Sequence, residues 1–514
     1  MGTSQSKDPE VENALAVFSK SEQVEMERLF KKLSGPNSKA FSLEQLQIHL
    51  NGILCETIIT RLHYTMANIQ TQPELEADIH DMPDNSEDVT TLTTVTYDTF
   101  VISLAHLIKG DMHEKSHFIN CLATETDYAS PSDMIWFVTN IVQAYLEVKA
   151  EDAHTVSWQT ETEEEDLRRF AIFILEDLFN KDLKYNSSPM HTSDVPFGVT
   201  YRDDELETWL SQSALFLHII DTIFHSCFPV KMVDAMFSQN NLLPLCKDIN
   251  WEKTTTILDI PSVLGINNSL PHQLQNQWSL LYTSQLHGES FSTMIKRVKD
   301  QGPTILVIRD TDGHIFGGFA SESWTMKPQY SGDPSCFLFT MQPKLGIYTS
   351  TGYNDHYMYL NSGQSTMPYG LQVYLSFIGS PKWVRICWKS PEGMGGQFDY
   401  WGLWLDGEYG IGESRAEPKC TTYNSPQLSR QPEFQIDAIE FWAVGPDIEK
   451  EGGSMKHVIS ASGLDLTDAH VSILDKDPEA KAMLSLINRG PVSDGLREGD
   501  RTADTPEQHQ LPPM

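Results

Sequence analysis

Between Trp278 and Val444 the chain is built of short apolar runs separated by residues that turn a backbone, and this pattern restricts the fold more than any other feature. Thr304–Arg309, Ile315–Ala320, Cys336–Thr340, Leu345–Tyr348, Tyr357–Leu360, Gly402–Leu405, Gly412–Ala416 and Ile436–Val444 are strand-length runs divided by Gly, Asp, Asn and Pro. Short strands at near-regular spacing favour a β-sandwich. Trp278–Tyr282 reads as a strand, Ser290–Lys299 as a helix, and Ser262 to Leu274 as a helical opening. Asp312-Gly313 between two runs signals a type I′ hairpin, because glycine accepts positive φ at little cost. Gly317-Gly318 inside a run marks a bulge or a close backbone approach. Gly393-Met-Gly-Gly-Gln397 lacks the GKS/T ending of a P-loop and the GxGxxG spacing of a dinucleotide site, and is assigned to a turn before Tyr400–Trp404.

The first half follows the helical period instead. Ser19 and Glu22 have capping-box spacing, and Met26, Leu29, Phe30 and Leu33 form one apolar face before Gly35-Pro36-Asn37. Ser42 with Gln45 repeats the box ahead of Leu43, Leu46 and Leu50. This helix, loop and helix has the outline of an EF-hand, yet Ser34 to Glu44 carries a single carboxylate at Glu44, so it reads as a degenerate, structural pair with no metal. Thr96–Lys109, Met134–Lys149 and Leu167–Leu183 are further amphipathic helices, and Tyr201–Val233 is a strongly apolar pair. The acidic connectors Gln70–Thr90 and Glu151–Glu165 and the Ser/Pro-rich Asn186–Phe197 read as solvated loops. The fold class is therefore α+β.

With 37 basic and 71 acidic side chains the net charge is -34, a field that repels nucleic acid. The cysteines at 55, 121, 227, 246, 336, 387 and 420 are odd in number and scattered, which favours a reducing compartment over a disulfide framework or a zinc site. No hydrophobic run follows Met1, and Met134–Val148 and Ala214–Val230 are too short or too interrupted to span a bilayer. The sequons at Asn186 and Asn267 are read as chance matches.

His287 beside Gly288 and Glu289, and His356 beside Asp355, supply imidazoles and carboxylates, with Ser284, Ser290 and Cys420 as conceivable nucleophiles. Sequence adjacency does not make a triad, and no GxSxG elbow is present. No catalytic residue is assigned; both histidines are expected to stabilise turns or the core. Asn354-Asp355-His356 offers too few ligands for a metal.

Trp278-Ser-Leu-Leu-Tyr-Thr-Ser-Gln-Leu-His-Gly-Glu-Ser-Phe291, Phe316-Gly-Gly-Phe319 and Thr351-Gly-Tyr-Asn-Asp-His-Tyr-Met-Tyr-Leu-Asn-Ser-Gly363 together resemble a TLDc domain. The whole layout resembles the lysosomal, mTOR-associated type within that family. The resemblance implies a two-sheet sandwich with flanking helices at 257–445, after a helical region at 19–245. It also implies a non-enzymatic peripheral protein on the cytoplasmic face of the lysosomal membrane and in the cytoplasm, which binds the V-ATPase and supports mTOR signalling without a cofactor. An alternative within the family is protection from oxidative stress by an unrecognised activity or a redox-sensitive cysteine, for which Cys420 beside Lys419 is the candidate. One departure is Gln372 to Glu392, which the family pattern lacks; it reads either as a hairpin around Gly379-Ser-Pro381 or as a splice or gene-model artefact.

Both ends read as attachment elements. Gly2 with Ser6 fits the N-myristoylation pattern, in a flexible N-terminus at 1–18. After a linker at 446–476, Asp477-Pro478 opens a helix at 477–489 whose apolar face is Ala480, Met483, Leu484 and Ile487, followed by a disordered tail at 490–514. That helix docks either on its own domain or in a partner groove.

Overall fold

The computed structural model describes residues 9–35, 38–69, 94–126, 128–180, 195–230, 241–327, 329–360, 392–397, 400–406, 409–416 and 419–446. The helical half contains α1 (Pro9–Ala16), α2 (Lys20–Ser34), α3 (Leu43–Leu50), α4 (Glu56–Asn68), α5 (Tyr97–Leu104), α6 (Met112–Ala123), α7 (Pro131–Val148), α8 (Ala153–Val156), α9 (Glu164–Ile174), α10 (Glu176–Phe179), α11 (Asp203–Gln212) and α12 (Ala214–Cys227). Residues 9–18 were expected to be flexible, yet they carry α1, whose Val11 and Ala14 share one face and are buried along with Phe18 just beyond the helix. Both capping boxes form. At α2 the Glu22 N–H donates to Ser19 Oγ (3.3 Å) and the Ser19 N–H to Glu22 Oε2 (2.7 Å), and at α3 the Ser42 N–H donates to Gln45 Oε1 (2.9 Å).

The EF-hand-like outline is doubled. Two-residue strands β1 (Ala40–Phe41) and β2 (Val95–Thr96) pair antiparallel, with Ala40 opposite Thr96, and join the α2–α3 unit to a second unit made of α5, within the expected Thr96–Lys109 helix, and α4, which the sequence reading left out. Phe30, Phe41 and Phe100 seal this pair, with ring centroids 5.6–5.8 Å apart. Glu151–Glu165 was expected to be a solvated loop. Instead it holds α8, and the buried Trp158 donates its indole N–H to the Pro244 carbonyl (2.8 Å).

The second half adds α13 (Ile260–Ser269), α14 (Ser284–His287) and α15 (Phe291–Val298) to strands β3 (Leu245–Lys247), β4 (Gln277–Thr283), β5 (Thr304–Asp310), β6 (Ile315–Ala320), β7 (Phe337–Gln342), β8 (Gly346–Thr349), β9 (Tyr359–Leu360), β10 (Glu392–Gln397), β11 (Tyr400–Leu405), β12 (Ile411–Glu413) and β13 (Glu433–Val444). One sheet runs β3-β4-β13-β5-β6-β7-β8, and a second runs β9-β10-β11-β12. The long β13 belongs to both: Glu433–Gln435 pair with β12, while the rest pairs with β5 and β4.

Alternation along β5 shows why its run is continuously apolar. Ile305 and Val307 join the core shared with the helices, whereas Leu306 and Ile308 join the core of Met394, Leu403 and Leu405 under the second sheet. A strand covered on both faces needs apolar residues at every position. Three layers result: helices, first sheet, second sheet.

Two turn assignments change. Gly393–Gln397, read as a turn, is strand β10, antiparallel to β11. Its glycines serve close packing, since a Cβ at Gly393 would lie 2.5 Å from the Trp404 ring and one at Gly395 2.6 Å from Tyr423. In the Asp312-Gly313 hairpin the Asp310 N–H donates to the His314 carbonyl (3.0 Å), which closes a loop of three residues, Thr311–Gly313, rather than a type I′ pair. Gly313 takes φ 84°, and the Asp310 carboxylate accepts the N–H groups of Asp312 (3.0 Å) and His314 (2.8 Å), leaving Asp312 in an ordinary conformation. Gln372–Glu392 lies outside the described residues except for Glu392, the first residue of β10.

Candidate functional site

Within the apolar run of β13, Glu440 is a carboxylate in a buried position. It sits beside a cleft of about 250 Å³ where the segment entering α13, the β4–α14 junction, Arg309 and Asp437 meet. Glu440 Oε2 accepts from Thr256 Oγ1 (2.7 Å) and the Trp442 indole (3.0 Å), and Oε1 accepts the Ile257 N–H (2.9 Å). Burial pushes the carboxyl up to about 7, against these three donors and the Arg309 charge, which favour its ionised form. At the mouth Arg309 Nε donates to Asp437 (2.6 Å), and the Thr255 N–H to Gln285 Oε1 (3.1 Å). Glu440 turns its oxygens to donors of its own chain, so its chemistry is that of a clamp fastening the interdomain segment to the sheet.

The residues considered for catalysis are each held by local structure. His287 Nδ1 accepts the Thr283 N–H (3.1 Å), its ring stacks on Tyr282, and burial followed by the Arg297 charge lowers it to about 4, so the imidazole is neutral. His356 Nδ1 pairs with the Gly396 carbonyl (2.7 Å) and its ring stacks on Tyr330 at 4.1 Å. Ser284 Oγ accepts the Ile439 N–H (3.2 Å), and Ser290 Oγ caps α15 through the Thr293 N–H (3.4 Å). Cys420 is buried and its thiol is pushed up by that burial. These contacts assign the two histidines to turn and core support. Among the described residues no group of His, Cys, Asp and Glu is set to hold a metal ion, and no helix is long and apolar enough to cross a membrane. Gly2, Ala480, Met483, Leu484 and Ile487 lie outside the described residues.

A family model described as the TLDc domain matches residues 251–445. Over 505 residues the chain is 35% identical to "MTOR-associated protein MEAK7" of Gallus gallus, covering 95% of this chain and 96% of the relative. The chain belongs to the MEAK7 family of TLDc-domain proteins. The Homo sapiens MEAK7 protein is 34% identical over 496 residues, 94% of this chain and 96% of its own length. "Oxidation resistance protein 1" of Bos taurus matches at 28% over 209 residues, 39% of this chain and 20% of that protein. The MEAK7 similarity thus spans the helices as well as the TLDc sheet, while the oxidation-resistance similarity covers a much shorter stretch.

Those two regions are locked together in this MEAK7 relative by tryptophans. Trp158 from the helical half lies 5.4 Å from Trp442 and 5.9 Å from Trp278, and Trp278 donates to Asn267 Oδ1 (3.0 Å). Asn267, one of the two sequons, is buried by this contact. Sequence reasoning missed both Glu440 and Trp158. The available signals were an acid flanked by Ile439 and Phe441 inside the β13 run and a lone tryptophan inside an acidic connector.

Proposed function

We propose that this chain is a non-enzymatic peripheral regulator at the cytoplasmic face of the lysosomal membrane, where it binds the V-ATPase and supports mTOR signalling. The observation that carries the reading is the similarity over 95% of the chain to a protein named MTOR-associated protein MEAK7. Support also comes from the contacts of His287, His356, Ser284 and Cys420, which are those of structural residues.

In this reading Gly2 carries a myristoyl group and the apolar face Ala480, Met483, Leu484 and Ile487 docks on the pump. One myristoyl chain gives an association constant of only about 10⁴ M⁻¹, so a second attachment is required. Lys7 and Lys20 cannot supply it by charge, being offset by Asp8, Glu10 and Glu12. A resident membrane protein can.

The test is complementation. In cells lacking the protein, the wild-type chain restores phosphorylation of an mTOR substrate at the lysosome and co-fractionates with lysosomal membranes. Normal substrate phosphorylation in the deficient cells, with no lysosomal fraction of the restored protein, contradicts the proposal.

The similarity to Oxidation resistance protein 1 supports a second reading, protection from oxidative stress. The buried Cys420 makes a poor sensor for it. Peroxide survival that depends on the chain but not on mTOR output favours this second reading.

A further inference from the structure

On the helical half, α6 and α11 bring a thiol, an imidazole and a carboxylate into line. Cys121 and His117 are four residues apart on α6, so both lie on one face of the helix. The Cys121 sulfur stands 3.7 Å from His117 Nε2, and His117 Nδ1 stands 2.8 Å from Asp203 Oδ2 at the start of α11. The other Asp203 oxygen accepts the side-chain N–H of Asn120 (2.7 Å), which fixes the carboxylate plane. A carboxylate on Nδ1 directs Nε2 toward the sulfur, the role an orienting acid plays for a base in nucleophilic sites.

Access is open. Cys121 is half-buried, unlike Cys227, Cys246, Cys336 and Cys420, and the His117 side chain is 43% exposed. The contact with the sulfur contributes most to raising the imidazole to about 9; burial opposes it, and Asp203 adds to it. At neutral pH a cationic ring therefore faces the sulfur. Nearby, His113 pairs with Glu207 (3.2 Å) and Lys115 with Asp221 (2.9 Å), so neither of those acids competes for His117. A partly exposed cysteine beside an imidazolium is the setting in which thiolates form and react.

We propose that Cys121 is a nucleophilic thiol, activated by His117 and oriented through Asp203, and that it is a site of two-electron oxidation by hydrogen peroxide. In the starting pair the shared proton rests on His117 Nε2, and the Cys121 sulfur attacks one peroxide oxygen as the thiolate. The S–O bond forms as the O–O bond breaks; the leaving hydroxide takes the proton from His117 and departs as water. Sulfur is oxidised by two electrons to the sulfenic acid, and the peroxide is reduced. Oxidation replaces the thiolate with a neutral group and so removes one of the two counter-charges of His117, which couples the oxidation state to the α6–α11 contact.

The test uses the full-length, reduced protein. It is treated at pH 7 with limiting iodoacetamide, or with hydrogen peroxide plus dimedone, and each cysteine is read by peptide mass spectrometry. Cys55, also half-buried, is the internal comparator. Cys121 reacts roughly tenfold faster than Cys55, and His117→Gln removes most of that advantage while the Cys55 rate stays constant. Asp203→Asn gives a smaller loss in the same direction. If His117→Gln also speeds Cys55, the fold has opened and the wild-type ratio alone decides. Equal wild-type rates for Cys121 and Cys55, or an unchanged Cys121 rate in a folded His117→Gln protein, overturns the proposal.

Discussion

Gly313 in the turn of the β5–β6 hairpin and Gly317 within β6 are glycines for different reasons, and their substitutions separate those reasons. A Cβ at Gly317 would stand 1.9 Å from the Leu306 carbonyl oxygen and 2.8 Å from Phe339 Cζ. Ordinary C···O contacts begin at about 3.3 Å, so β5 and β6 would have to part by roughly 1 Å or more. Their register sets Val307 opposite Gly317 and Leu306 opposite Gly318, in the middle of the first sheet. Loosening two ladder hydrogen bonds at about 1 kcal/mol each, with about 1–3 kcal/mol of overpacking, gives about 3–5 kcal/mol for Gly317→Ala. Gly313 has positive φ (84°) and open space around it. Gly313→Ala costs only the strain of a left-handed residue, about 1–2 kcal/mol. Urea unfolding followed by tryptophan fluorescence measures both variants. A Gly317→Ala midpoint no lower than that of Gly313→Ala would refute the close-approach argument.

Three further predictions concern the clamp, the shared core and the lipid. Glu440 ordinarily ionises near 4.5 and does so at about 7 when folded, so between those values the folded state keeps a proton that the unfolded state has released. Its contribution to stability is therefore lost as pH rises through that window, by roughly 3 kcal/mol in all, and the stability of wild type minus that of Glu440→Gln falls by about that amount from pH 4.5 to 8. Parallel pH profiles for the two proteins count against it. Trp158→Ala removes the ring between the two halves and costs about 3–5 kcal/mol, with helical circular dichroism and tryptophan fluorescence lost in one earlier transition; helices that melt separately from the sheet contradict the shared core. Gly2→Ala weakens lysosomal co-fractionation while leaving the urea midpoint unchanged, and an unaltered membrane fraction removes the lipid from the scheme.

Strand positions were legible because each run of β5, β6, β7 and β13 ends at turn residues and is buried on at least one face. Their partners were not, since nothing local says that β13 runs through both sheets or that β3 lies parallel to β4. Gly393–Gln397 misled because glycines that admit the Trp404 and Tyr423 rings look in sequence like glycines that turn a chain. The helix at α5 was anticipated within Thr96–Lys109, but its pairing with α4 as a second unit was not, because the link to α2–α3 is a two-residue strand pair between segments more than fifty positions apart. At the candidate sites, the structural use of His287 and His356 could be anticipated from the turns they occupy, whereas Glu440 and Trp158 take their meaning from partners distant in sequence. The His117–Cys121 spacing is helical and was readable, but Asp203 joins it from another helix.

The proposed function is tested most directly by capturing V-ATPase from detergent-solubilised lysosomal membranes with three baits: the full chain, the full chain bearing Met483→Asp, and a truncation ending at Gly452. The prediction is that the full chain retains the pump, the truncation loses it, and Met483→Asp weakens capture without altering thermal unfolding of the folded unit. Equal capture by the full chain and the truncation moves the contact onto the sheet. No capture by any bait contradicts the claim that this chain is a partner of the pump.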